Sequence, residues 1–113
     1  MITQVRPSQL AAWLETARGH GTPVVLDVRE PSEVRTASIK ADGFELITIP
    51  MGVIGPRLAE LDPEQPVACL CHHGGRSMQV AAFLKARGFK HVANIAGGIN
   101  AWSDEIDPRV PRY

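Results

Sequence analysis

The chain has little of what marks membrane, secreted and nucleic-acid-binding proteins. It has two cysteines in 113 residues and 12 basic against 12 acidic side chains. No apolar run comes near the roughly 20 residues that a membrane span needs. Zero net charge without a basic cluster disfavours binding to nucleic acid or to a membrane surface. The start, MITQVRPSQL, has neither the basic nor the apolar region of a secretion signal. We therefore expect a cytoplasmic protein. We expect its thiols to be free, because a disulfide bridge between Cys69 and Cys71 would close an awkwardly small ring.

Length and composition fit one globular domain. A chain of 113 residues has no room for a second independent core, and 44% apolar with 21% charged residues is ordinary for a soluble protein. No repeat, low-complexity tract or long linker interrupts it, and proline and glycine recur at short intervals. We expect a single domain over residues 1–113, with an irregular tail from about residue 104, where two prolines follow.

Short apolar runs alternate with stretches of helical spacing along the chain. Continuous apolar runs predict strands at 23–28, 46–49, 66–71 and 91–95. Apolar residues spaced by three or four predict helices from Pro7 to a cap at Gly19, at 54–61 and at 76–87, with a short turn of helix up to residue 102. This alternation is typical of an α/β fold, in which a parallel sheet is covered by helices on both faces.

Polar and reactive residues follow two of the predicted strands. Asp27 and Arg29 lie at the end of one, and Cys71 ends another, ahead of a loop and the helix that begins near Arg76. Ligands of open α/β sheets bind outside the carboxyl ends of the strands. If these two strands are neighbours in the sheet, both groups face the same crevice.

The loop from Cys71 has the features of an anion-binding site around a reactive thiol. The start of a helix presents unpaired backbone N–H groups and the positive end of its dipole. Gly74 and Gly75 allow the loop to curl and to turn further N–H groups inward. Such surroundings stabilise a thiolate, and they also bind the oxygens of an anionic substrate. We expect Cys71 to be the nucleophile, and the substrate-binding residues to be His72, His73, Gly74, Gly75 and Arg76.

Four segments, in this order and at compatible spacing, resemble single-domain rhodanese-like sulfurtransferases. They are Leu26–Glu30 with Glu33, Ile49–Pro50, Cys71–Arg76 and Asn94–Trp102. The resemblance implies a five-stranded parallel sheet with helices on both faces. It also implies that Cys71 takes a sulfane sulfur from a small anionic donor such as thiosulfate, carries it as a persulfide and passes it to a thiol, cyanide or a protein acceptor. Neither a cofactor nor a metal is implied.

Several other residues are interpreted in the same setting. Asp27 and Arg29 are expected to support the catalytic loop, and Ser77 to hydrogen-bond in the first turn of the following helix. Glu33 is expected to be structural. Gly97, Gly98 and Trp102 are expected to form a tight turn and a packing anchor near the loop.

The residues leave several alternatives open. Cysteine phosphatases and arsenate reductases of related fold have five residues between cysteine and arginine, whereas this chain has four, which favours sulfur transfer. A second alternative is a sulfur-carrier or protein-binding module with little turnover of its own.

His72 and His73 are either solvent-facing or, when protonated, donors to the anion. Cys69 is interpreted as a core residue, with a resolving thiol as the alternative. These cysteines and histidines lie too close together in the sequence to surround a tetrahedral metal ion, so no metal site is expected.

Overall fold

A single parallel sheet forms the centre of the protein, whose structure is a computed structural model that describes residues 2–113. Five strands are hydrogen-bonded in the order β1-β5-β4-β2-β3. They are β1 (Thr3–Val5), β2 (Val24–Asp27), β3 (Glu45–Thr48), β4 (Val67–Leu70) and β5 (Val92–Ile95). The α-helices are α1 (Pro7–Ala17), α2 (Pro31–Thr36), α3 (Gly75–Ala86) and α4 (Gly98–Glu105). The α/β class and the parallel sheet expected from the sequence are confirmed.

Alternating side chains of the central strands supply an apolar core on each face of the sheet. Every residue of β2 and β4 is buried, as their continuous apolar sequences indicate. One core packs against α3 and includes Val24, Leu26, Cys69, Val80 and Leu84. The other packs against α1 and α4 and includes Val25, Ala68, Leu10, Leu14, Ile99 and Trp102. Helices on both faces therefore hold the ends of β2 and β4 in fixed positions.

Three local features differ from the expectation. The strand β1 has two exposed residues and pairs only with β5 at the sheet edge, so no apolar run marks it. The helix α2 has no buried residue and therefore no apolar stripe. Residues 54–61 do not form an α-helix: short 3-10 helices at Met51–Val53 and Leu58–Glu60 flank Pro56. Proline lacks the N–H that a continuous helix requires and restricts the residue before it.

The topology opens a crevice where β2 and β4 end. These strands are direct neighbours, with Asp27 in register with Leu70. The chain leaves β2 towards β3 on one side and leaves β4 towards β5 on the other. The segments after Asp27 and Leu70 therefore meet at one edge of the sheet. This is the arrangement that we expected if the two strands were neighbours. None of the helices within residues 2–113 has the length and apolar character of a membrane span.

Candidate active site

Cys71 lies directly after β4 and ahead of α3, with only 1% of its surface exposed. Its Sγ accepts a hydrogen bond from the backbone N–H of Gly74 at 3.1 Å. Gly74 has a φ of +106°, and a Cβ at that position would lie 3.2 Å from the backbone nitrogen of Gly97. Glycine is therefore required at 74 for the loop to turn its N–H onto the sulfur. Gly75 differs, because it is already the first residue of α3.

A buried hydroxyl also approaches the sulfur. Ser77 Oγ lies 3.2 Å from Cys71 Sγ and 2.5 Å from Asn94 Oδ1. A hydroxyl carries one proton, so it donates either to Asn94 or to the sulfur, and an ionised sulfur attracts it more strongly. The Asn94 amide in turn donates to the carbonyl of Gly74 at 3.2 Å and to Gln4 Oε1 at 2.9 Å. Ser77 thus contacts the thiol itself, beyond the role expected of it, and Asn94 is a site residue that sequence reasoning missed.

The N-terminus of α4 holds the backbone of the Cys71 loop. The N–H of Ile99 donates to the Cys71 carbonyl at 2.9 Å, and the N–H of Asn100 donates to the His72 carbonyl at 3.1 Å. At Gly98, which has a φ of +59°, a Cβ would lie 2.5 Å from both of these carbonyl oxygens. The turn expected at Gly97 and Gly98 is therefore present, and it contacts the loop directly.

Arg76 forms a two-pronged ion pair with Glu33. Its Nη1 and Nη2 atoms donate to Oε2 and Oε1 of that carboxylate, each at 2.7 Å. Glu33 is fixed in the first turn of α2, where its Oε2 accepts the Glu30 N–H at 2.9 Å. The hydrogen bonds from Arg76 lower the pKa of Glu33 to about 2, and Glu33 raises the pKa of Arg76. The Arg76 side chain stays 35% exposed, so Arg76 is both paired and accessible.

The Asp27–Arg29 pair is fully enclosed beneath this site. Arg29 Nε donates to Asp27 Oδ1 at 2.9 Å and Nη2 donates to Oδ2 at 2.7 Å, with neither residue more than 2% exposed. Arg29 Nη1 also donates to the backbone carbonyl of Glu33 at 3.3 Å. A buried charge pair is costly to break, because a lone partner is left without solvation. The pair therefore connects the end of β2 to the helix that carries Glu33.

The remaining candidates occupy contrasting surroundings. His72 stacks on exposed His73, with ring centroids 3.8 Å apart. Burial, followed by the charge of His73, lowers the pKa of His72, which disfavours a protonated His72 as an anion donor at neutral pH. Cys69 is fully buried in β4, and burial raises its pKa to about 12, as suits a core thiol. Across residues 2–113, no three His, Cys, Asp or Glu side chains gather in a way that could hold a metal ion.

Comparison with known proteins defines the class to which this fold and site belong. Residues 10–105 match the Rhodanese-like domain family, and the chain belongs to that family. It is 32% identical over 106 residues to the putative sulfurtransferase YtwF of Bacillus subtilis, which covers 94% of the chain and 98% of YtwF. The crystal structure of a rhodanese-like domain protein from Staphylococcus aureus matches 93% of the chain and 95% of that protein, with a TM-score of 0.75 and 26% identity. The family expected from the four segments is confirmed.

A longer relative shares a higher identity. The chain is 45% identical over 91 residues to the Rhodanese-like/PpiC domain-containing protein 12, chloroplastic, of Arabidopsis thaliana. That match covers 79% of the chain and 30% of the Arabidopsis protein, so the chain spans less than a third of that relative's length.

Proposed function

We propose that the chain is a sulfurtransferase that moves a sulfane sulfur from a small anionic donor such as thiosulfate to an acceptor through a persulfide on Cys71. One observation carries the proposal: the Cys71 sulfur lies at the start of α3, within hydrogen-bond distance of the Gly74 N–H and the Ser77 hydroxyl. Both groups can donate hydrogen bonds to a thiolate, which is the nucleophilic form of the sulfur. Membership of the rhodanese-like family and the similarity to YtwF support sulfur transfer as the class of reaction.

The first half-reaction transfers sulfur onto the protein. The Cys71 thiolate attacks the outer sulfur of thiosulfate and forms a new S–S bond, while the bond to the sulfonate sulfur breaks. Sulfite leaves with the electron pair of that bond. Arg76 is the cation available for the donor's oxygens, because its side chain is partly exposed beside the loop.

The second half-reaction returns the thiolate. The outer sulfur of the Cys71 persulfide is attacked by the acceptor, and the S–S bond breaks towards Cys71. With cyanide the product is thiocyanate. Dividing the transfer into two covalent steps replaces one difficult displacement by two easier ones. The Gly74 N–H and the Ser77 hydroxyl already lie at the Cys71 sulfur in the free protein. They stabilise the negative charge that returns to this sulfur when the S–S bond breaks.

Intact-mass measurement tests the proposal directly. The protein is incubated with thiosulfate, weighed, treated with cyanide and weighed again, beside Cys71→Ser and the matched variant Cys69→Ser. We expect a gain of one sulfur atom, lost on cyanide treatment, in the wild type and in Cys69→Ser but not in Cys71→Ser. The cyanide step is needed because a sulfinic acid has nearly the same added mass and is not reversed by cyanide. No gain from thiosulfate, mercaptopyruvate or polysulfide would contradict the proposal, and phosphatase activity would then be measured.

A second candidate is a sulfur-carrier module that turns over only with a protein partner. The observation that favours it is the 1% exposure of Cys71, which leaves the sulfur little open to acceptors in solution. The Arabidopsis relative, whose name includes a second kind of domain and of which this chain spans 30%, supports a modular use of the fold. A persulfide that forms with thiosulfate but transfers to neither cyanide nor glutathione would favour the carrier.

A further inference from the structure

An aromatic side chain outside all four rhodanese-like segments lies against the candidate active site. The ring of Tyr113 stacks on the ring of His72, with centroids 3.8 Å apart and planes within 6° of parallel. The Tyr113 hydroxyl accepts a hydrogen bond from Arg29 Nη1 at 3.0 Å and donates to Glu33 Oε1 at 3.0 Å. One side chain thus contacts the histidine that follows Cys71 and both charge pairs of the site.

The approach of Tyr113 depends on an anchored tail. After α4 the chain turns at Asp107–Arg109, and the side chain of Val110 enters the core with 7% exposure. The Ser103 hydroxyl donates to the Val110 carbonyl at 2.8 Å, which fixes the tail three residues before Tyr113. Tyr113 itself remains 37% exposed, and the contacts described above hold it to the site. The anchor therefore keeps the ring near His72 without burying it.

The hydroxyl of Tyr113 joins two ion pairs that, within residues 2–113, otherwise share no hydrogen bond between side chains and are linked by the bond from Arg29 to the Glu33 backbone carbonyl. The hydroxyl donates a hydrogen bond to Glu33 Oε1, the same oxygen that accepts a hydrogen bond from Nη2 of Arg76. Its acceptor side receives the Arg29 N–H that points away from Asp27. A hydrogen bond to a charged group is stronger than one between neutral groups. The hydroxyl therefore restrains Glu33, and through Glu33 it restrains Arg76.

The ring of Tyr113 governs the surroundings of His72. The Nε2 atom of His72 is buried without a hydrogen-bond partner among residues 2–113. Tyr113 and His73 cover the imidazole by stacking. Burial and then the charge of His73 lower the pKa of His72, whereas a hydrogen bond with the Tyr113 backbone, which Tyr113→Ala retains, and the charge of Glu33 raise it, and the charge of Arg76 lowers it. Removing the Tyr113 ring would admit water to this imidazole. Because burial is the main cause that lowers the pKa of His72, that pKa would then rise.

We propose that Tyr113 is a positioning residue of the Cys71 loop: its ring shields His72 from water, and its hydroxyl holds the Glu33–Arg76 pair in the geometry that meets an anionic sulfur donor. The inference rests on the proposed function for its kinetic part only. Its structural part, the control of His72, stands whether or not the chain transfers sulfur.

Two variants separate the two parts of the side chain. Tyr113→Phe keeps the ring and removes the hydroxyl, whereas Tyr113→Ala removes both. Arg109→Ala is the matched control, because Arg109 is exposed on the same tail and, among residues 2–113, its side chain hydrogen-bonds to Asp107 in its own turn. Circular dichroism establishes that each variant is folded before the other measurements are made.

The titration of the His72 ring protons is followed by NMR, with the signals assigned by a His72→Gln variant. In Tyr113→Ala the midpoint is expected to rise by about half a pH unit or more, while Tyr113→Phe and Arg109→Ala stay near the wild type. Both tyrosine variants are expected to raise the KM for thiosulfate about threefold with little change in kcat. A purely structural role would lower stability without moving either quantity.

The outcomes distinguish this inference from the proposed function. A His72 midpoint and a KM that both stay at wild-type values in Tyr113→Ala would overturn the positioning role, even if the chain transfers sulfur. If the wild type takes up no sulfur, the His72 titration still tests the positioning role of Tyr113. A raised midpoint in Tyr113→Ala, together with faster alkylation of Cys71 by iodoacetamide, would then support the positioning role while the proposed function fails.

Discussion

Replacing Gly98 by alanine places a methyl group where the N-terminus of α4 meets the Cys71 loop. The added Cβ would lie 2.5 Å from the carbonyl oxygens of Cys71 and His72, and contacts below 3.0 Å require a shift of the surrounding atoms. Both oxygens belong to the backbone and cannot rotate away as a flexible side chain would. The φ of +59° at Gly98 adds strain, because alanine rarely adopts the left-handed conformation.

The expected loss of stability comes from two sources. Holding a non-glycine residue in the left-handed region costs about 1–2 kcal/mol. Moving the α4 N-terminus away from the loop weakens the hydrogen bonds from Ile99 and Asn100, each of which contributes about 0.5–1.5 kcal/mol. We expect the free energy of unfolding to fall by about 3 kcal/mol in Gly98→Ala. For a domain of this size the midpoint of thermal unfolding falls by about 10 °C or more.

Urea denaturation of Gly98→Ala is compared with two other glycine variants. In Gly97→Ala the new Cβ would lie 2.5 Å from the Ala101 Cβ at a φ of +80°, so this variant is also strained but does not press on the Cys71 carbonyl. In Gly19→Ala the new Cβ meets nothing within 4 Å. We expect both strained variants to lose stability and only Gly98→Ala, while still folded, to alter the alkylation rate of Cys71. A Gly98→Ala protein within about 0.5 kcal/mol of the wild type would refute the argument.

Three shorter predictions concern the charged and thiol side chains. Cys71→Ser should abolish thiocyanate production from thiosulfate and cyanide, whereas Cys69→Ser should retain most of it, because Cys69 is buried with a pKa of about 12; equal loss in both would contradict a single-cysteine mechanism. Arg76→Ala should raise the KM for thiosulfate about tenfold, and an unchanged KM would remove Arg76 from the donor site. The pKa of Glu33 is lowered from 4.5 to about 2 on folding, so its stabilising contribution is complete above pH 4.5 and is lost as the pH falls towards 2. In urea titrations, the free energy of unfolding of Glu33→Gln should therefore fall less steeply over this pH range than that of the wild type. An equally steep fall in both proteins would exclude Glu33 as its source.

The sequence predicted those parts of the fold in which burial sets the pattern. The strands β2 and β4 are buried on both faces, so their residues are continuously apolar, and α1 has one apolar stripe because one of its sides meets the core. The strand β1 and the helix α2 have no such pattern: β1 is held by pairing with β5, and α2 begins at a proline with no buried residue. Elements stabilised by backbone pairing or capping leave little apolar periodicity to detect.

The sequence predicted that the segments after β2 and β4 meet, but individual side-chain contacts were predictable only where they are local in the sequence. Cys71 and Gly74 stand three residues apart at the end of one strand, and their relation follows from loop chemistry. The bonds of Arg76 with Glu33 and of Ser77 with Asn94 join residues 43 and 17 positions apart. Glu33 and Asn94 were recognisable as parts of rhodanese-like segments, but a segment does not reveal which partner each of its side chains meets.

In the proposed reaction, the charge of Arg76 is already balanced by Glu33 before the anionic donor binds. Glu33 holds both Nη atoms at 2.7 Å, so the donor meets a neutral pair whose remaining attraction comes from short-range hydrogen bonds rather than from net charge. In Arg76→Ala the Glu33 carboxylate would lose its ion-pair partner, and its negative charge would repel the donor in addition to the lost contact. The double variant Arg76→Ala with Glu33→Gln removes that repulsion, and we expect its KM for thiosulfate to lie between those of the wild type and of Arg76→Ala. A double variant no better than Arg76→Ala would mean that Glu33 does not act on the donor, and that direct contact with Arg76 accounts for the whole effect.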